Sequence, residues 1–229
     1  MVAFLGANPT IESKKGTAST FTHTLLAGSD RVVVVVVAGY GPANPNACTY
    51  GGVTMGIVPD TFATSGSTGA KCQAYWLAEA DLPADGANTV APTWAADVGI
   101  QNITLYTFLL EGLQDAFVQG DAVAAIGAGA YPATVTIVGS EANSALVSVA
   151  TEAVLSLTLA ADVGTQSDIV EIDDSYDKQC RSTQSGEGGD RTVVWTGPSG
   201  STTKSAVLAV TVESLTSGAV FTGSRMGIV

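Results

Sequence analysis

A run of six valines constrains the fold of this chain more than any other feature. Residues 31–39 read Arg-Val-Val-Val-Val-Val-Val-Ala-Gly. Valine is stiff at χ1 and packs well on a pleated surface, and a short apolar run bounded by Asp30-Arg31 and Gly39 is typical of a strand. Because the run does not alternate, both of its faces must be covered. It predicts a strand at the centre of a layered β domain, with a second layer on one face and loops or a partner on the other.

The composition favours short strands joined by tight turns. Of 229 residues, 46% are hydrophobic, only 13% are charged and 26 are glycine. A chain of this length buries about 70% of its unfolded surface, so its core can stabilise it without a disulfide or a metal. Cys48, Cys72 and Cys180 are widely spaced and have no histidine nearby. This favours buried thiols over a Cys48–Cys72 bridge or a metal site.

The charge balance indicates which partners do not suit the chain. Twenty-one acidic and nine basic residues give a net charge of −12, whereas nucleic acids and anionic membranes bind clustered Lys and Arg. Residues 1–5 lack the pattern of a signal peptide, and no window approaches the roughly 20 apolar residues that span a bilayer. We therefore expect no nucleic-acid partner, no membrane partner and a protein made in the cytosol.

Alternation and turn signals place further strands along the chain. Residues 19–25 alternate, and a turn at 27–30 predicts that they form an antiparallel pair with the valine strand. Gly51-Gly52 predicts a tight turn between two short extended runs. Residues 77–82 allow at most one helical turn, and 115–125 is the best helix candidate. Further strands are expected at residues 72–78, 89–94 and 100–110.

The strand pattern restarts in the second half of the chain. Strand and turn phrases at 134–150 follow those of the first half by about 114 residues, and later phrases recur after about 102 residues. Half-repeats at 17–113 and 133–215 are one interpretation, and generic β patterning is the other. Either way, about 12 to 14 short strands predict one all-β domain over 1–215, an antiparallel sandwich of jelly-roll type.

Residues 216–229 differ from the rest and form a candidate C-terminal arm. They contain three glycines, one charge and the apolar end Met226-Gly-Ile-Val229. An exposed apolar terminus is a liability for a monomer, so the arm either folds back or contacts a neighbouring subunit. The end repeats Met55-Gly-Ile-Val58, a match too short to interpret by itself. Partner contacts are predicted for Phe221, Arg225, Met226, Ile228 and Val229.

The chain carries no convincing catalytic motif. His23 is the single histidine and lies on an apolar strand face, which favours a partly buried structural role over a nucleophile site. Residues 197–204 have the wrong spacing for a phosphate loop and are interpreted as a hairpin loop. We expect no enzymatic activity and no cofactor. Glycoside hydrolysis needs a pair of carboxylates, and the candidates are Glu79, Asp81, Glu171 and Asp173. Any acidic β protein offers such pairs.

Two weaker binding signals remain. One is the densest acidic stretch, whose oxygens suit Ca²⁺, although a solvated strand end is favoured because no known loop spacing is present. Its candidate metal ligands are Glu171, Asp173, Asp174 and Asp177. The other is the set of aromatic residues, of which Trp94 and Trp195 are expected in the core and Tyr75 and Trp76 on opposite strand faces. Sugar stacking is the alternative role for Tyr40, Tyr50, Tyr75, Trp76, Trp94, Tyr176 and Trp195.

Several phrases together resemble a known family. They are Leu25-Leu-Ala-Gly-Ser-Asp-Arg-Val-Val-Val-Val-Val-Val-Ala38, Thr49-Tyr-Gly-Gly-Val-Thr-Met55, Tyr75-Trp-Leu-Ala-Glu-Ala-Asp-Leu-Pro83 and Asn88-Thr-Val90. Over residues 17–215 the pattern is similar to the β-sandwich virion structural proteins of tailed bacteriophages. The resemblance implies a non-enzymatic virion protein assembled in the host cytoplasm. It implies either a capsid decoration (cement) protein that binds the major capsid protein and forms a homo-oligomer, with a trimer expected, or a carbohydrate-binding tail or fibre module.

Overall fold

The computed structural model describes residues 2–4, 10–14, 20–67, 69–96, 100–110, 115–126, 133–140, 144–152, 158–162, 177–183, 189–196 and 204–215. These residues form 18 strands, all paired antiparallel, and a single 3-10 turn at Glu79–Asp81. The predicted all-β antiparallel class is confirmed. There are more strands than expected because four have only two or three residues. No helix in this part of the chain is long and apolar enough to cross a membrane.

Eleven strands belong to the first half of the chain. They are β1 (Val2–Phe4), β2 (Thr10–Lys14), β3 (Phe21–Leu25), β4 (Arg31–Tyr40), β5 (Pro45–Tyr50), β6 (Val53–Thr54), β7 (Gly56–Ile57), β8 (Ala63–Thr64), β9 (Ala70–Ala78), β10 (Gly86–Trp94) and β11 (Ile100–Leu110). Gly51 and Gly52 make the predicted turn between β5 and β6, with φ of 57° and 85°. These left-handed values favour glycine, which has no Cβ to clash.

Seven strands belong to the second half. They are β12 (Asp115–Ile126), β13 (Ala133–Ser140), β14 (Ala145–Glu152), β15 (Thr158–Asp162), β16 (Asp177–Thr183), β17 (Gly189–Thr196) and β18 (Lys204–Leu215). The helix predicted at 115–125 is therefore wrong. All 12 residues of β12 pair with β18, and a ladder of that length outweighs a weak local helical preference.

The strands of the first half form two sheets. The first inner sheet has the order β1-β11-β4-β9-β7, with β2 also paired to β11 and β8 also paired to β9. The first outer sheet has the order β3-β10-β5-β6. If β2 to β6 and β9 to β11 are counted as strands 1 to 8, these orders become 1-8-3-6 and 2-7-4-5. That is the strand order of a jelly roll.

The strands of the second half follow the same plan. The second inner sheet has the order β12-β18-β14-β16, and the second outer sheet has the order β13-β17-β15. Counted in the same way, they read 1-8-3-6 and 2-7-4, so only strand 5 has no counterpart in the described residues. The two halves thus share one topology, while their origin by duplication stays a prediction.

The two inner sheets pack face to face and share one hydrophobic core. We call it the shared core, and its buried members are Val32, Val34, Val36, Ala38, Val58, Ala63, Ala70, Cys72, Ala74, Val118, Ala145, Val147, Val149, Ala206, Leu208, Val210 and Val212. Val33, Val35 and Val37 point the other way, into the core between the first inner and outer sheets. The valine strand is therefore buried on both faces, as predicted, and the second half of the chain covers the face left open to loops or a partner.

Each half also has a core between its own two sheets. In the first half this core contains Phe21, Leu25, Tyr50, Tyr75 and Trp94, among others. In the second half, Val135, Ile137, Val193 and Trp195 of the outer sheet are buried. Trp94 and Trp195 are 7% and 1% exposed, so the prediction that they are core residues is confirmed. Cys48 and Cys72 are buried thiols without a disulfide, as expected, and the side chain of Cys180 lies outside the described residues.

Two predicted hairpins are wrong. β3 pairs with β10 in the outer sheet, whereas β4 pairs with β9 and β11 in the inner sheet, so residues 26–30 cross between sheets. Residues 197–203 likewise connect β17 and β18, which lie in different sheets. Turn residues indicate that the chain reverses, but they do not determine which sheet the next strand joins.

Candidate functional site

The outer edge of β9, together with β7, β8 and the recess beside them, is the candidate contact edge of the described residues. Here β7 pairs with β9 opposite Tyr75 and Trp76, and β8 pairs with β9 opposite Lys71 and Cys72. A recess of about 290 Å³ lies beside β7. Its walls are Val53, Thr54, Gly56, Trp76, Leu77, Ala78 and Asp81. A recess of this size is close to the lower limit of small-ligand sites.

Trp76 is placed in the recess by strand alternation. Its neighbour Tyr75 points into the core of the first half and is 1% exposed. Trp76 faces the other way, packs partly against the shared core, and leaves part of its indole uncovered. Gly56 lies directly opposite it in the β7–β9 ladder. The two aromatic residues therefore point to opposite faces, as predicted, and Trp76 is the one that lines a surface recess.

The acidic groups near the recess have different roles. Arg31 is 4% exposed, and its Nε and Nη2 donate to the two carboxylate oxygens of Glu79 at 2.8 and 2.7 Å. Its Nη1 donates to Asp85 and to the carbonyl of Leu26, both at 2.6 Å. The guanidinium lowers the pKa of Glu79 and the carboxylates raise the pKa of Arg31. Glu79 is thus held in a structural clamp, whereas Asp81 of the same 3-10 turn is exposed and lines the recess.

Two apolar side chains are exposed on the segment that carries β7 and leads into β8. Ile57 is 56% exposed and Phe62 is 42% exposed. Other large exposed hydrophobic residues of the described chain, Leu26 and Val138, lie on other segments. Single exposed apolar residues are ordinary, but two on one edge segment beside an aromatic recess suit contact with another surface.

A buried lysine fixes the loop behind this edge. Lys71 is 1% exposed, and its Nζ donates to the carbonyl oxygens of Gly66, Gly69 and Ser67 at 3.1, 3.3 and 3.5 Å, and also to that of Gly41. The ammonium group supplies hydrogen bonds to carbonyls that a strand ladder does not satisfy. It therefore holds two loops of the first half together from inside.

A buried threonine fixes the segment between β7 and β8. Thr61 Oγ1 donates to the carbonyl of Val58 at 2.7 Å. The same oxygen accepts hydrogen bonds from Gln73 Nε2 at 2.7 Å and from the Ala74 backbone N–H at 3.1 Å. Because Gln73 and Ala74 belong to β9, this network attaches the edge segment to the inner sheet and keeps Ile57 and Phe62 on a supported surface.

Of the residues considered for catalysis, the described part places His23, Glu79 and Asp81, the last two on one 3-10 turn. His23 is half-buried, its Nδ1 lies 2.8 Å from the hydroxyl of Tyr50, and burial lowers its pKa. This agrees with the structural role predicted for it. Glu79 is occupied by Arg31, as described above. Glu171, Asp173 and Asp174 lie outside the described residues, and Asp177 begins β16 but its side chain is not described.

The predicted arm lies outside the described residues, so Phe221, Arg225, Met226, Ile228 and Val229 remain predictions. Sequence reasoning missed Arg31, Lys71 and Gln73 as buried polar groups. The available signal was a polar residue inside or beside an apolar strand phrase, such as Lys71 before Cys72. Of the proposed sugar-stacking aromatics, Tyr50, Tyr75, Trp94 and Trp195 are buried, and Trp76 alone of these five lines the recess.

The strand order defines this chain as a tandem jelly-roll protein, and the recess belongs to the candidate contact edge of its first half. No protein-family model and no curated protein matches the chain. Among solved structures it is similar to a chain described under "The Triple Jelly Roll Fold and Turret Assembly in an Archaeal Virus", with 13% identity and a TM-score of 0.29. The alignment covers 90% of this chain and 57% of that one. A likeness this distant carries no argument about function.

Proposed function

We propose that this protein is a non-enzymatic structural component of a bacteriophage particle, and specifically a capsid decoration protein that binds the major capsid shell and stabilises it. The observation that carries the proposal is the shared core, which joins two jelly rolls into one four-layered block. Jelly rolls serve in viral capsids and in lectins. In such a block the two halves are joined by a common core, which suits a protein that makes repeated contacts on a shell.

The candidate contact edge favours binding to a shell over a catalytic role in solution. Ile57 and Phe62 supply apolar area, and only 13% of the residues of the whole chain are charged. On a shell many copies bind at once, so each contact needs only modest affinity. The arm at 216–229 adds contacts between copies, and together these give a homo-oligomer on the particle.

Co-sedimentation tests the proposal directly. Shells are assembled without decoration from the major capsid protein of the genome that encodes this chain, and the purified protein is added in excess. We expect it to sediment with the shells and to raise the temperature at which they break. The double variant Ile57→Ser/Phe62→Ser should bind at least about tenfold more weakly, as expected when apolar contact area is lost. Val138→Ser, which changes an exposed apolar residue elsewhere, should bind normally. Absence of sedimentation at saturating protein would overturn the proposal.

Light scattering tests the oligomer. The mass of the full chain is compared with that of a variant ending at residue 215. We expect a closed oligomer, a trimer in the simplest case, that falls to a monomer when the arm is removed. An unchanged oligomer in the shortened chain would show that the arm does not join the copies.

A carbohydrate-binding tail or fibre module is the second candidate, and the Trp76 recess favours it. An indole face beside the Thr54 hydroxyl and the Asp81 carboxylate offers stacking and hydrogen bonds to a sugar ring. A glycan array probed with and without Ca²⁺ tests this role. Binding that is lost in Asp81→Asn and Thr54→Ala would support it, and a blank array would remove it.

A further inference from the structure

The recess beside β7 combines one carboxylate with an aromatic ring and apolar walls. Val53 and Leu77 belong to the apolar walls, and the indole of Trp76 lies beside them. Val53 and Leu77 also pack in the core of the first half, so these walls are supported from inside. Besides the indole, the polar side chains that line the recess are Thr54 and Asp81. The recess therefore suits a ligand that is apolar along most of its length and polar at one end.

Gly56 leaves the edge of the Trp76 indole open. A Cβ at Gly56 would lie 3.3 Å from Nε1 of that indole. Optimal contacts between carbon atoms are about 3.5–4.0 Å, so a larger residue here would crowd the ring. Because Trp76 is only partly covered by the shared core, part of its ring is available to a ligand in the recess.

Asp81 is held in place without being neutralised. It ends the 3-10 turn that begins at Glu79. Arg31 donates to the Glu79 carboxylate through its backbone N–H and through its guanidinium, which attaches this turn to the start of β4. Within the described residues, Asp81 itself has no ion-pair partner. The recess thus has an exposed carboxylate on a supported element, as a binding site for a cation requires.

The segment that borders the recess has an excess of negative charge. Residues 79–85 carry three carboxylates, those of Glu79, Asp81 and Asp85, and the guanidinium of Arg31 binds two of them. Three carboxylates and one guanidinium give this group a net charge of −2, on a chain whose net charge is −12. Such a field attracts cationic groups and repels anionic ones.

We propose that this recess binds an arginine side chain of a partner protein. The three methylene groups of arginine match the apolar walls. Its guanidinium can stack on the indole of Trp76 and pair with the carboxylate of Asp81. A sugar ring fits less well, because it carries several hydroxyl groups and the recess offers the side chains of Thr54 and Asp81 as their partners.

The exposed apolar residues beside the recess favour a protein as the source of the cation. Ile57 follows Gly56 in β7, and Phe62 lies on the segment that leads into β8. Binding hot spots are enriched in arginine and are surrounded by contacts that exclude water. A free small cation would leave Ile57 and Phe62 exposed, whereas a protein can cover them. The inference rests on the proposed function only in taking the arginine from a capsid protein.

Titration of the free protein tests the recess without any shell. The indole N–H signals of the three tryptophans are followed by NMR while Nα-acetyl-arginine methylamide is added, and Trp76→Phe assigns the Trp76 signal. We expect that signal to shift and those of Trp94 and Trp195 to stay, because the latter two are buried. The citrulline analogue has the same shape without the charge and should bind at least about fivefold more weakly. Equal binding of the two probes would overturn the proposal.

Two variants that remove one charge each locate the cation. Asp81→Asn should weaken binding of the arginine probe by about fivefold, because the guanidinium loses its carboxylate. Asp60→Asn removes the same charge from an exposed turn outside the recess and should leave binding unchanged. Asn tolerates the φ of 58° found at Asp60. Equal losses in both variants would assign the effect to the net charge of the chain and overturn the site.

Further probes identify the source of the cation. Tetramethylammonium lacks the methylene stem and the guanidinium plane. If it binds as tightly as the arginine probe, the recess takes a free small cation and the assignment to a partner side chain fails. Methyl glycosides that shift the Trp76 signal where arginine does not would overturn the proposal in favour of the carbohydrate-binding candidate.

Shell binding is measured separately, so that the two proposals can fail independently. Shells that do not bind the unmodified chain would overturn the capsid role and leave the arginine response of the free protein as it is. If the shells do bind, Asp81→Asn should bind them about fivefold more weakly. Unchanged binding of that variant would show that the shell does not supply the arginine, which overturns the partner assigned here.

Discussion

The two halves of this protein share a strand order, and they differ in the short strands described beside strand 6. In the first half β7 and β8 cover the outer edge of β9, and Thr61 and Lys71 hold the segments that carry them. In the second half no described strand covers β16. In the described residues, β7 and β8 thus add to a jelly-roll order that both halves share.

The halves also differ in their buried polar groups. At the start of β4, Arg31 is paired with two carboxylates. At the start of β14, Ser144 instead accepts a hydrogen bond from Arg191 of the outer sheet, at 3.3 Å. The common element is apolar: alternate residues of β4, β14 and β18 meet in the shared core. Burial of apolar area is the main force that joins the halves, while the polar groups set local geometry.

The largest expected effect comes from the shared core. Leu208→Ala removes a fully buried side chain at the contact of the two halves and should cost about 2–5 kcal/mol. Because both halves contribute to this core, we expect one cooperative transition in urea, with tryptophan fluorescence and circular dichroism coinciding. Leu146→Ala, at a buried leucine outside the shared core, should lower the same single transition. Two separate transitions would show that the halves fold independently.

The contact between the halves can also be overfilled. A Cβ at Gly120 would lie 2.2 Å from Cγ2 of Thr61 and 2.8 Å from the carbonyl oxygen of Ala209. Gly120→Ala should therefore cost about 1–3 kcal/mol. Thr61→Ser removes that methyl group and keeps the hydroxyl, so the double variant should be more stable than the sum of the two losses predicts. Strict additivity in urea unfolding would place the clash elsewhere.

The Arg31 clamp gives the first half a smaller, pH-dependent contribution. Arg31 lowers the pKa of Glu79 below its usual 4.5, so the stabilisation is present above that value and is lost as the pH falls through the folded pKa. Both carboxylates are partly exposed, and we expect about 1 kcal/mol. Urea unfolding between pH 3 and 7 should show a shallower pH dependence in Arg31→Met and in Glu79→Gln. An unchanged profile in both would contradict the clamp.

Sequence patterns predicted the elements better than their partners. The valine strand, the Gly51-Gly52 turn and the core tryptophans follow from local chemistry that any β protein must satisfy. Whether β3 pairs with β10 or with β4 depends on which sheet each strand joins. The local sequence carries no signal of that choice. The helix prediction for residues 115–125 is wrong because β12 pairs with β18, whose residues lie 78 to 100 positions further along the chain.

The candidate contact edge was predictable only in part. Trp76 stood out as an aromatic residue on the face opposite Tyr75, but the exposure of Ile57 and Phe62 depends on tertiary packing. Lys71 has charge and length that normally indicate a surface residue. Its burial depends on backbone carbonyls from two separate loops, which only the folded chain brings together.

The smallest expected effect comes from the hydroxyl of Tyr75 and contrasts the interiors of the two halves. This hydroxyl is buried without a hydrogen-bond partner among the described residues, and burial raises its pKa. In the second half, Ser148 Oγ donates to the carbonyl of Leu208 at 2.8 Å and accepts from Trp195 Nε1 at 3.0 Å. Tyr75→Phe should therefore be neutral or stabilising by up to about 1 kcal/mol, whereas Ser148→Ala should cost about 1 kcal/mol because the indole N–H loses its acceptor. Urea unfolding of both variants measures the difference, and a clear loss in Tyr75→Phe would show that a water or another group satisfies the hydroxyl.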